Sequence, residues 1–444
     1  MWPPASSYLG AAVAILVLLA VCFRQLRFLL LGSESTGEPP QHTWKPPGCT
    51  ELLEGGLDFG LDFGLESGLD FQLPLADPAF REICTTAKLE PGVRGRCYRF
   101  RKNKRVLKCL PSFLVVGFTK AGTSVFFQYA SQHHLVRTAR LKEPAYLGSD
   151  VEAVDQNATV ATAADARAAG DSEATSASKA ITGQRPLAKT LRWYMNLFPS
   201  CPTCERGEAT PGYAWRDYAA VAAAQARLLL GGATKLFMLV REPIDRAASH
   251  YVYFREKRRA FRVANLSKVL HGALDEFERC AMQLGGWRHQ CTYRSGRRAA
   301  EVSYAAILRI QPQMWRLKNK ANYELLQAGL YSEHWLTWRA QFPASSILVI
   351  DMALLRSTPL RAMRRFERHL GLPHFGGYEV SNEHALASLR YGGPKPGVVA
   401  GAALHRNVDE VLRTRLEHFF APFNRKLKKA TGVGWTYESG QTRR

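Results

Sequence analysis

Acidic residues are scarce in this chain of 444 residues, where 38 Asp and Glu face 60 Lys and Arg and leave a formal net charge of +22 at pH 7. The shares of hydrophobic residues, 46%, and charged residues, 22%, are ordinary and exclude a chain that is disordered throughout. The positive excess predicts binding to a polyanion such as nucleic acid, anionic lipid or an acidic polysaccharide. Charge alone does not choose among these partners.

A long uncharged hydrophobic run occurs only near the start of the sequence, over residues 8–23. A helix needs roughly 20 apolar residues to cross the hydrocarbon core, so a span here requires Arg24 and Arg27 to reach a membrane interface. The first ten residues lack Lys and Arg, which argues against the alternative, a cleaved signal peptide. We predict a single membrane anchor over residues 1–32. The two arginines leave its orientation open, because the positive-inside rule places their side in the cytosol.

Two stretches lack the hydrophobic periodicity of a folded domain. Residues 33–105 are predicted to be a partly low-complexity stem, which includes the repeat GLDF-GLDF-GLES-GLDF from Gly56 to Phe71. A glycine at every fourth position disfavours a helix by about 1 kcal/mol each. Residues at about 150–185 are rich in Ala, Ser, Thr and Asp, and are predicted to form a disordered insertion in a surface loop. The remainder predicts one folded domain over residues 106–438.

The nine cysteines include only one C-x-x-C pair, Cys201 and Cys204. A structural zinc site needs four ligands, and neither a second such pair nor a nearby histidine pair is present, so zinc is weakly supported. In an anchored protein whose bulk is luminal, disulfides are the favoured use of cysteine. The glycosylation sequons at Asn157 and Asn265 are consistent with passage through the secretory pathway.

A glycine-containing loop follows a short buried-strand pattern at Phe113–Gly117. The sequence FTKAGTS then leads into a predicted helix that begins near Thr123. Strand, loop and helix in this order form a cradle for phosphate, because loop N–H groups and the helix N-terminus both favour an anion. The chain lacks a Walker A motif, since Lys120 precedes the second glycine of the loop instead of following it. This position argues against an ordinary nucleoside triphosphatase.

A second buried-strand pattern, at Lys235–Val240, ends in the sequence REPIDRAASHY. Pro243 suits the first turn of a helix. Arg241 is therefore expected at the carboxyl end of a strand and Ser249 about two turns into the helix, where open α/β sheets bind ligands. An arginine fork and a hydroxyl can hold a phosphate there. Together the two patterns predict an α/β domain with a P-loop-like central parallel sheet flanked by helices.

These motifs resemble those of the Golgi carbohydrate sulfotransferases, in the branch that includes heparan sulfate N- and 3-O-sulfotransferases and the N-acetylgalactosamine 4-sulfate 6-O-sulfotransferase. PSFLVVGFTKAGTS is similar to the family's 5′-phosphosulfate loop and LVREPIDRAASHY to its 3′-phosphate motif. The resemblance covers most of Pro111 to Trp435 apart from the insertion, and includes LKEPAYL, LRWYMNLFP, TPGY and LEHFFAPFNRKLKKATGVGW.

The resemblance implies transfer of a sulfuryl group from 3′-phosphoadenylyl sulfate to a hydroxyl or amine of a glycan, with a polysaccharide as the expected acceptor. It requires no metal, and no nucleic-acid partner is expected. The implied location is the Golgi membrane, with a single-pass anchor and a luminal catalytic domain.

The resemblance also assigns roles to individual residues. Lys120 is expected to stabilise the leaving phosphate, and Glu143 of the LKEP segment to take the proton of the acceptor. The looser match YGGPKPG puts Lys395 in the family's basic loop that closes over the donor, although the paired cysteines that precede this loop in the family are missing. The expected donor-binding residues are Lys120, Ala121, Gly122, Thr123, Ser124, Arg241, Ser249 and Lys395.

Several residues have a second interpretation. His133 and His134 are alternative bases, although the family's first helix ends in a histidine of structural character. An aromatic group fits either a sugar cleft or the core, and a basic run fits either a glycan contact or a solvated helix face. The aromatic group is Trp193, Tyr194 and Phe198, and the basic run is Arg255, Lys257, Arg258, Arg259 and Arg262.

Two functions of other classes remain open. A P-loop kinase needs a carboxylate for magnesium at the end of a neighbouring strand, whereas the second strand here ends in Val240-Arg241. A non-catalytic glycan-binding protein on the same scaffold has no need of Glu143.

Overall fold

The computed structural model describes residues 87–100, 106–148, 190–216, 218–257, 265–283, 320–379 and 408–437, together with residues 79, 82 and 83. The predicted anchor, the repeat of the stem and the predicted insertion lie outside these residues. Within the described ranges, no helix has the length and apolar character needed to cross a membrane.

A small antiparallel sheet comes first in the described chain and includes residues that the sequence assigns to the stem. Its strand order is β1-β2-β3. A disulfide joins Cys97 to Cys109, which face each other in the register of the second and third strands. Tyr98 and Phe100 are buried in the main core, so this sheet is part of the folded body. The strands are β1 (Lys88–Leu89), β2 (Cys97–Arg99) and β3 (Leu107–Cys109).

In the part of the chain that the structure describes, the central sheet has five strands, all parallel, in the order β5-β6-β4-β7-β8. This arrangement confirms the predicted α/β fold with a central parallel sheet. The two strands predicted from apolar runs are buried almost throughout, as expected for a sheet that is covered on both faces. The strands are β4 (Phe113–Gly117), β5 (Val136–Thr138), β6 (Glu205–Ala209), β7 (Lys235–Val240) and β8 (Ile347–Asp351).

Ten helices in the described ranges flank the sheet or extend from it. Apolar side chains of the fourth, fifth, sixth and tenth form a second buried cluster beside the main core. The helices are α1 (Thr123–Gln132), α2 (Leu191–Asn196), α3 (Ala219–Leu230), α4 (Pro243–Lys257), α5 (Leu266–Gln283), α6 (Lys320–Gln327), α7 (Tyr331–Arg339), α8 (Met352–Ser357), α9 (Pro359–Leu370) and α10 (Glu410–Thr431).

The strand order determines where a ligand site can form. From β4 the chain crosses to β5 and β6 on one side, and later to β7 and β8 on the other. Because all five strands are parallel, their carboxyl ends lie along one edge of the sheet. The loop after β4 therefore sits at the switch point between the segments that follow β6 and β7, the usual place for a ligand in an open α/β sheet.

Candidate active site

The loop between β4 and α1 has the backbone geometry of an anion cradle. Lys120 and Gly122 both adopt positive φ angles, 70° and 87°, and Gly122 is the N-cap of α1. No described side chain caps this helix N-terminus. Its first N–H groups have no acceptor inside the helix, and together with the helix dipole they favour an anion. A side chain at Gly122 would be strained by its φ and would crowd Met352 at the start of α8.

The side chain of Lys120 reaches across to α4. Its Nζ lies 5.2 Å from the centroid of the Tyr253 ring. Tyr253 follows Ser249 by four residues, so the two share one face of the helix. An aromatic face attracts an ammonium but leaves its charge in place. The loop lysine is thus held toward the helix face that carries Ser249.

Arg241 directly follows β7, the strand next to β4. Only 8% of its surface is exposed. Its backbone N–H donates to the Tyr331 hydroxyl at 3.3 Å, and this hydroxyl donates to the Arg241 carbonyl at 2.7 Å. Burial is the main cause that lowers the pKa of Arg241, although a guanidinium stays charged at any physiological pH. A buried positive charge at a strand end is suited to an anionic group of a ligand.

The helix after Arg241 begins at Pro243, as the sequence predicts. The Glu242 carboxylate accepts hydrogen bonds from the backbone N–H groups of Ile244, at 3.1 Å, and Asp245, at 2.7 Å. It also accepts one from the Tyr437 hydroxyl at 2.6 Å. Because Glu242 occupies the N-terminus of α4, the anion cradle of this site belongs to α1. Ser249 lies about two turns along α4 and is partly exposed.

Glu143 lies on the other side of the loop, in the segment that follows β5. Its side chain is 52% exposed and forms an ion pair with Lys142, whose side chain is 9% exposed. The carbonyl of Lys142 accepts from the Ala209 N–H at 3.1 Å, which fixes this segment to the end of β6. The carboxylate and Arg241 therefore approach the phosphate loop from opposite sides, one past β6 and the other past β7.

A buried polar cluster lies under the segment that carries Glu143, and sequence reasoning missed it. Its centre is Glu208 on β6, which accepts from the Thr210 hydroxyl at 2.7 Å and from the Tyr194 hydroxyl at 3.2 Å. Burial is the main cause that raises the pKa of Glu208 to about 7, and the negative charge of Glu143 adds to it. The only sequence signal was its position two residues before the TPGY segment.

The alternative bases lie at the far end of α1. His133 is buried, its Nε2 donates to the Pro373 carbonyl at 3.1 Å, and its Nδ1 accepts from the Leu135 N–H at 3.1 Å. Burial lowers the pKa of His133. The exposed His134 stacks on it. At 1.5 Å per residue, the ten residues of α1 put both rings about 15 Å from the phosphate loop, so their role is structural.

The aromatic group lies mainly in the core. Tyr194 and Phe198 are buried, and Tyr194 stacks on Tyr146 with ring centroids 4.3 Å apart. Trp193 is partly buried against the same core. Two of the three side chains are therefore part of the core and are not available to line a sugar cleft. Of the basic run, only Arg255 has a described side chain, and it lies over the Tyr251 ring.

The C-x-x-C pair forms a disulfide between Cys201 and Cys204, in line with the preference for disulfides over zinc. Its thiols are therefore not available as zinc ligands in this structure. Among the described residues, no group of three or more His, Cys, Asp or Glu side chains is placed to bind a metal ion. Lys395 and Asn157 lie outside the described residues.

Comparison with known proteins identifies the family to which this chain belongs. The model of the sulfotransferase domain family matches residues 110–387. This chain belongs to that family. The match confirms the sulfotransferase resemblance drawn from the two phosphate motifs, and it includes Lys120, Glu143, Arg241 and Ser249. Lys395 lies beyond its end.

The similar relatives include three heparan sulfate glucosamine 3-O-sulfotransferases. Mouse form 3B1 is 25% identical over 347 residues, and mouse form 3A1 is 26% identical over 349 residues. Each alignment covers 74% of this chain and 65% of the relative, so the chain spans somewhat less than two thirds of these two proteins. Human form 6 is 24% identical over 336 residues, with 73% of each chain covered.

The similar solved structures include a sulfotransferase from Alicyclobacillus acidocaldarius. It shares 18% sequence identity, and the match covers 74% of this chain and 98% of that chain. The TM-score is 0.43, too low to support an argument about the site.

Proposed function

We propose that this sulfotransferase family member transfers a sulfuryl group from 3′-phosphoadenylyl sulfate to a hydroxyl or amine of a glycan. The observation that carries the proposal is a pair of anion sites on adjacent strands: the cradle with Lys120 after β4, and the buried Arg241 after β7. A donor with a phosphosulfate at its 5′ end and a phosphate at its 3′ position needs both. ATP has no 3′-phosphate and needs only the first.

In the proposed reaction, the acceptor oxygen or nitrogen attacks sulfur in line with the bond to the 5′-phosphate. The new bond forms to sulfur, the old S–O bond breaks, and its electron pair remains on the leaving phosphate. Lys120 and the backbone N–H groups of residues 121–124 neutralise this growing charge. Glu143 takes the acceptor's proton, for which its half-exposed carboxylate is accessible from solvent. Arg241 and Ser249 hold the 3′-phosphate, and the family resemblance adds Lys395 as a further donor-binding residue.

The acceptor is proposed to be a polysaccharide. The similarity to heparan sulfate glucosamine 3-O-sulfotransferases supports this class, and the net charge of +22 favours an anionic chain. The proposed location is the lumen of the Golgi, with residues 1–32 as a single-pass anchor. The Cys97–Cys109 and Cys201–Cys204 disulfides support an oxidising compartment.

The test is transfer of labelled sulfate from the donor to a panel of polysaccharides, with Glu143→Gln as the central variant. We expect the wild-type protein to label at least one of them. Glu143→Gln should reduce the turnover by about 10²- to 10⁴-fold, the usual range for loss of a general base, and should leave binding of adenosine 3′,5′-bisphosphate intact. The exposed Glu410 at the start of α10 provides the matched control, Glu410→Gln, which should keep full activity.

Two results would contradict the proposal. Wild-type protein that binds glycan and bisphosphate without transferring sulfate would be a non-catalytic binding protein. Protein that binds ATP as tightly as adenosine 3′,5′-bisphosphate would favour the kinase interpretation.

A further inference from the structure

The segment that carries Glu143 is held from below by two buried hydroxyl groups. The Thr210 hydroxyl accepts from the Ala145 N–H at 3.3 Å. The Tyr213 hydroxyl accepts from the N–H groups of Tyr146, at 2.9 Å, and Leu147, at 3.2 Å. Three consecutive backbone N–H groups are thus bound immediately after the Glu143-Pro144 pair.

The turn in this segment needs such support. Ala145 has a φ of 48°, in the left-handed region that residues with a side chain rarely adopt. A strained turn persists only where surrounding contacts hold it. Glu143 is two residues before Ala145, so the direction of its carboxylate depends on how well this turn is maintained.

Both hydroxyls also face one carboxyl group, that of Glu208. Thr210 donates to its Oε2 at 2.7 Å, and the Tyr213 hydroxyl interacts electrostatically with the same group. All three residues are buried, with Glu208 and Tyr213 at 0% exposure. The cluster lies at the end of β6, next to the strand that leads into the phosphate loop.

The number of hydrogens decides the direction of these bonds. A hydroxyl has one hydrogen to donate, while backbone N–H groups can only donate. Thr210 and Tyr213 must therefore accept from the segment and direct their own hydrogens elsewhere. An ionised carboxylate is a pure acceptor and receives both. A protonated carboxyl is a weaker acceptor, because charge-assisted hydrogen bonds are roughly twice as strong as neutral ones, so it orients the two hydroxyls less firmly.

We propose that Glu208 is a positioning residue, whose buried carboxylate orients the Thr210 and Tyr213 hydroxyls so that they fix the turn carrying Glu143. The inference rests on the proposed function, since it assigns to Glu208 the task of aligning the base with the acceptor. Glu208 touches neither donor nor acceptor in this role.

The role has a pH signature. Burial raises the pKa of Glu208 to about 7, and the groups that face it are the hydroxyls of Thr210, Tyr213 and Tyr194 and the charge of Glu143. As the pH rises through 7, Glu208 ionises and the hydroxyls are held in the accepting orientation. We therefore expect kcat of the wild type to rise in a step near pH 7, and this step to be absent in Glu208→Gln.

The key variant is Tyr213→Phe, which keeps the ring and removes the acceptor for Tyr146 and Leu147. We expect kcat to fall by about 10- to 100-fold, because small displacements of a catalytic group have effects of this size. Binding of adenosine 3′,5′-bisphosphate should stay within about twofold, because the phosphate loop and Arg241 are untouched. If Tyr213→Phe does not fold, Thr210→Val replaces it in the experiment. This variant removes the acceptor for the Ala145 N–H, and we expect the same fall in kcat.

The matched control variant is at the opposite end of β6 from Glu208. Ser112 is buried and donates from its hydroxyl to Glu205, the first residue of β6. Ser112→Ala removes a buried hydroxyl that faces a carboxylate, as Tyr213→Phe does, but at the amino end of the sheet and away from the site. It should leave kcat and its pH profile unchanged.

A double-mutant cycle with Glu143→Gln completes the experiment. If Glu208 and Tyr213 act through the base, Tyr213→Phe should cause no further loss of kcat once Glu143 has been replaced. The inference would be overturned by an equal loss in that background, by an equal loss in Ser112→Ala, or by a step near pH 7 that persists in Glu208→Gln. Wild-type protein without any sulfate transfer would refute the proposed function instead.

Discussion

Replacing Arg241 by alanine tests the assignment of the second anion site. Arg241 is 8% exposed and lies at the end of the strand beside the phosphate loop. A hydrogen bond to a charged group is worth about 1.5–3 kcal/mol. At about 1.4 kcal/mol per factor of ten, its loss should raise the Kd and KM of the donor by about 10- to 150-fold. The turnover at saturating donor should change much less, because the 3′-phosphate is held equally in the ground and transition states.

The assay is a competition between nucleotides that differ only at the 3′ position. Wild-type protein should prefer adenosine 3′,5′-bisphosphate over adenosine 5′-phosphate, and Arg241→Ala should lose this preference by the same factor as the donor affinity. A folded Arg241→Ala protein whose preference is intact would refute the assignment.

A second buried arginine, on the helix that follows Arg241, provides the control. Arg246 is 0% exposed and donates to the Leu325 carbonyl and to the His250 ring. Burial lowers the pKa of Arg246 to about 10. Arg246→Met leaves the Leu325 carbonyl without this donor and should reduce the free energy of unfolding. It should leave the preference for the 3′-phosphorylated nucleotide unchanged, which separates loss of a ligand contact from loss of a buried guanidinium.

Three further outcomes follow from the site. Lys120→Ala should lower kcat by about 10²- to 10³-fold even at saturating donor, measured by initial rates, because its charge is needed most as the S–O bond breaks. Trp215→Phe removes the indole N–H that donates to the Thr119 hydroxyl of the phosphate loop at 3.0 Å, and should raise the donor KM by about 2- to 12-fold. Glu208→Gln should alter the pH dependence of stability: the pKa of the acid is raised from 4.5 when unfolded to about 7 when folded, so wild-type stability falls as pH rises between these values. Urea unfolding at about pH 5 and about pH 8 should show wild-type protein losing up to about 3 kcal/mol relative to the variant, and parallel curves would contradict this.

The parts of the fold that could be predicted are those encoded by neighbouring residues. β4 and β7 are continuous apolar runs, and the loop after β4 has its glycine at the N-cap of α1. Pro243 marks the start of α4 as expected. In each case the physical cause lies within a few residues of the feature, so a local pattern is sufficient.

The strand β6 could not be predicted in this way. Its sequence, ERGEA, has no apolar pattern, yet all five residues are buried. Glu205 and Arg206 find their partners at Ser112 and Arg94, about a hundred residues earlier in the chain. Burial of charged residues is affordable only with such partners, and a sequence does not reveal contacts between distant segments. The predicted site lacked Glu208 for the same reason.

The arrangement of the site along the sheet edge has a consequence for how the acceptor approaches. Under the proposed function, the donor occupies the loop after β4 and the end of β7, because the two anion sites are there. The side toward β6 then remains for the acceptor, and this is where Glu143 is half exposed. Glu143, the proposed base, lies in a turn that residues of β6 and the following loop hold in place. The residues proposed to contact the donor are instead positioned by α1 and α4. Replacements in the two groups should therefore have different kinetic effects. Those around Glu208 should lower kcat, and those around Arg241 should raise the KM of the donor.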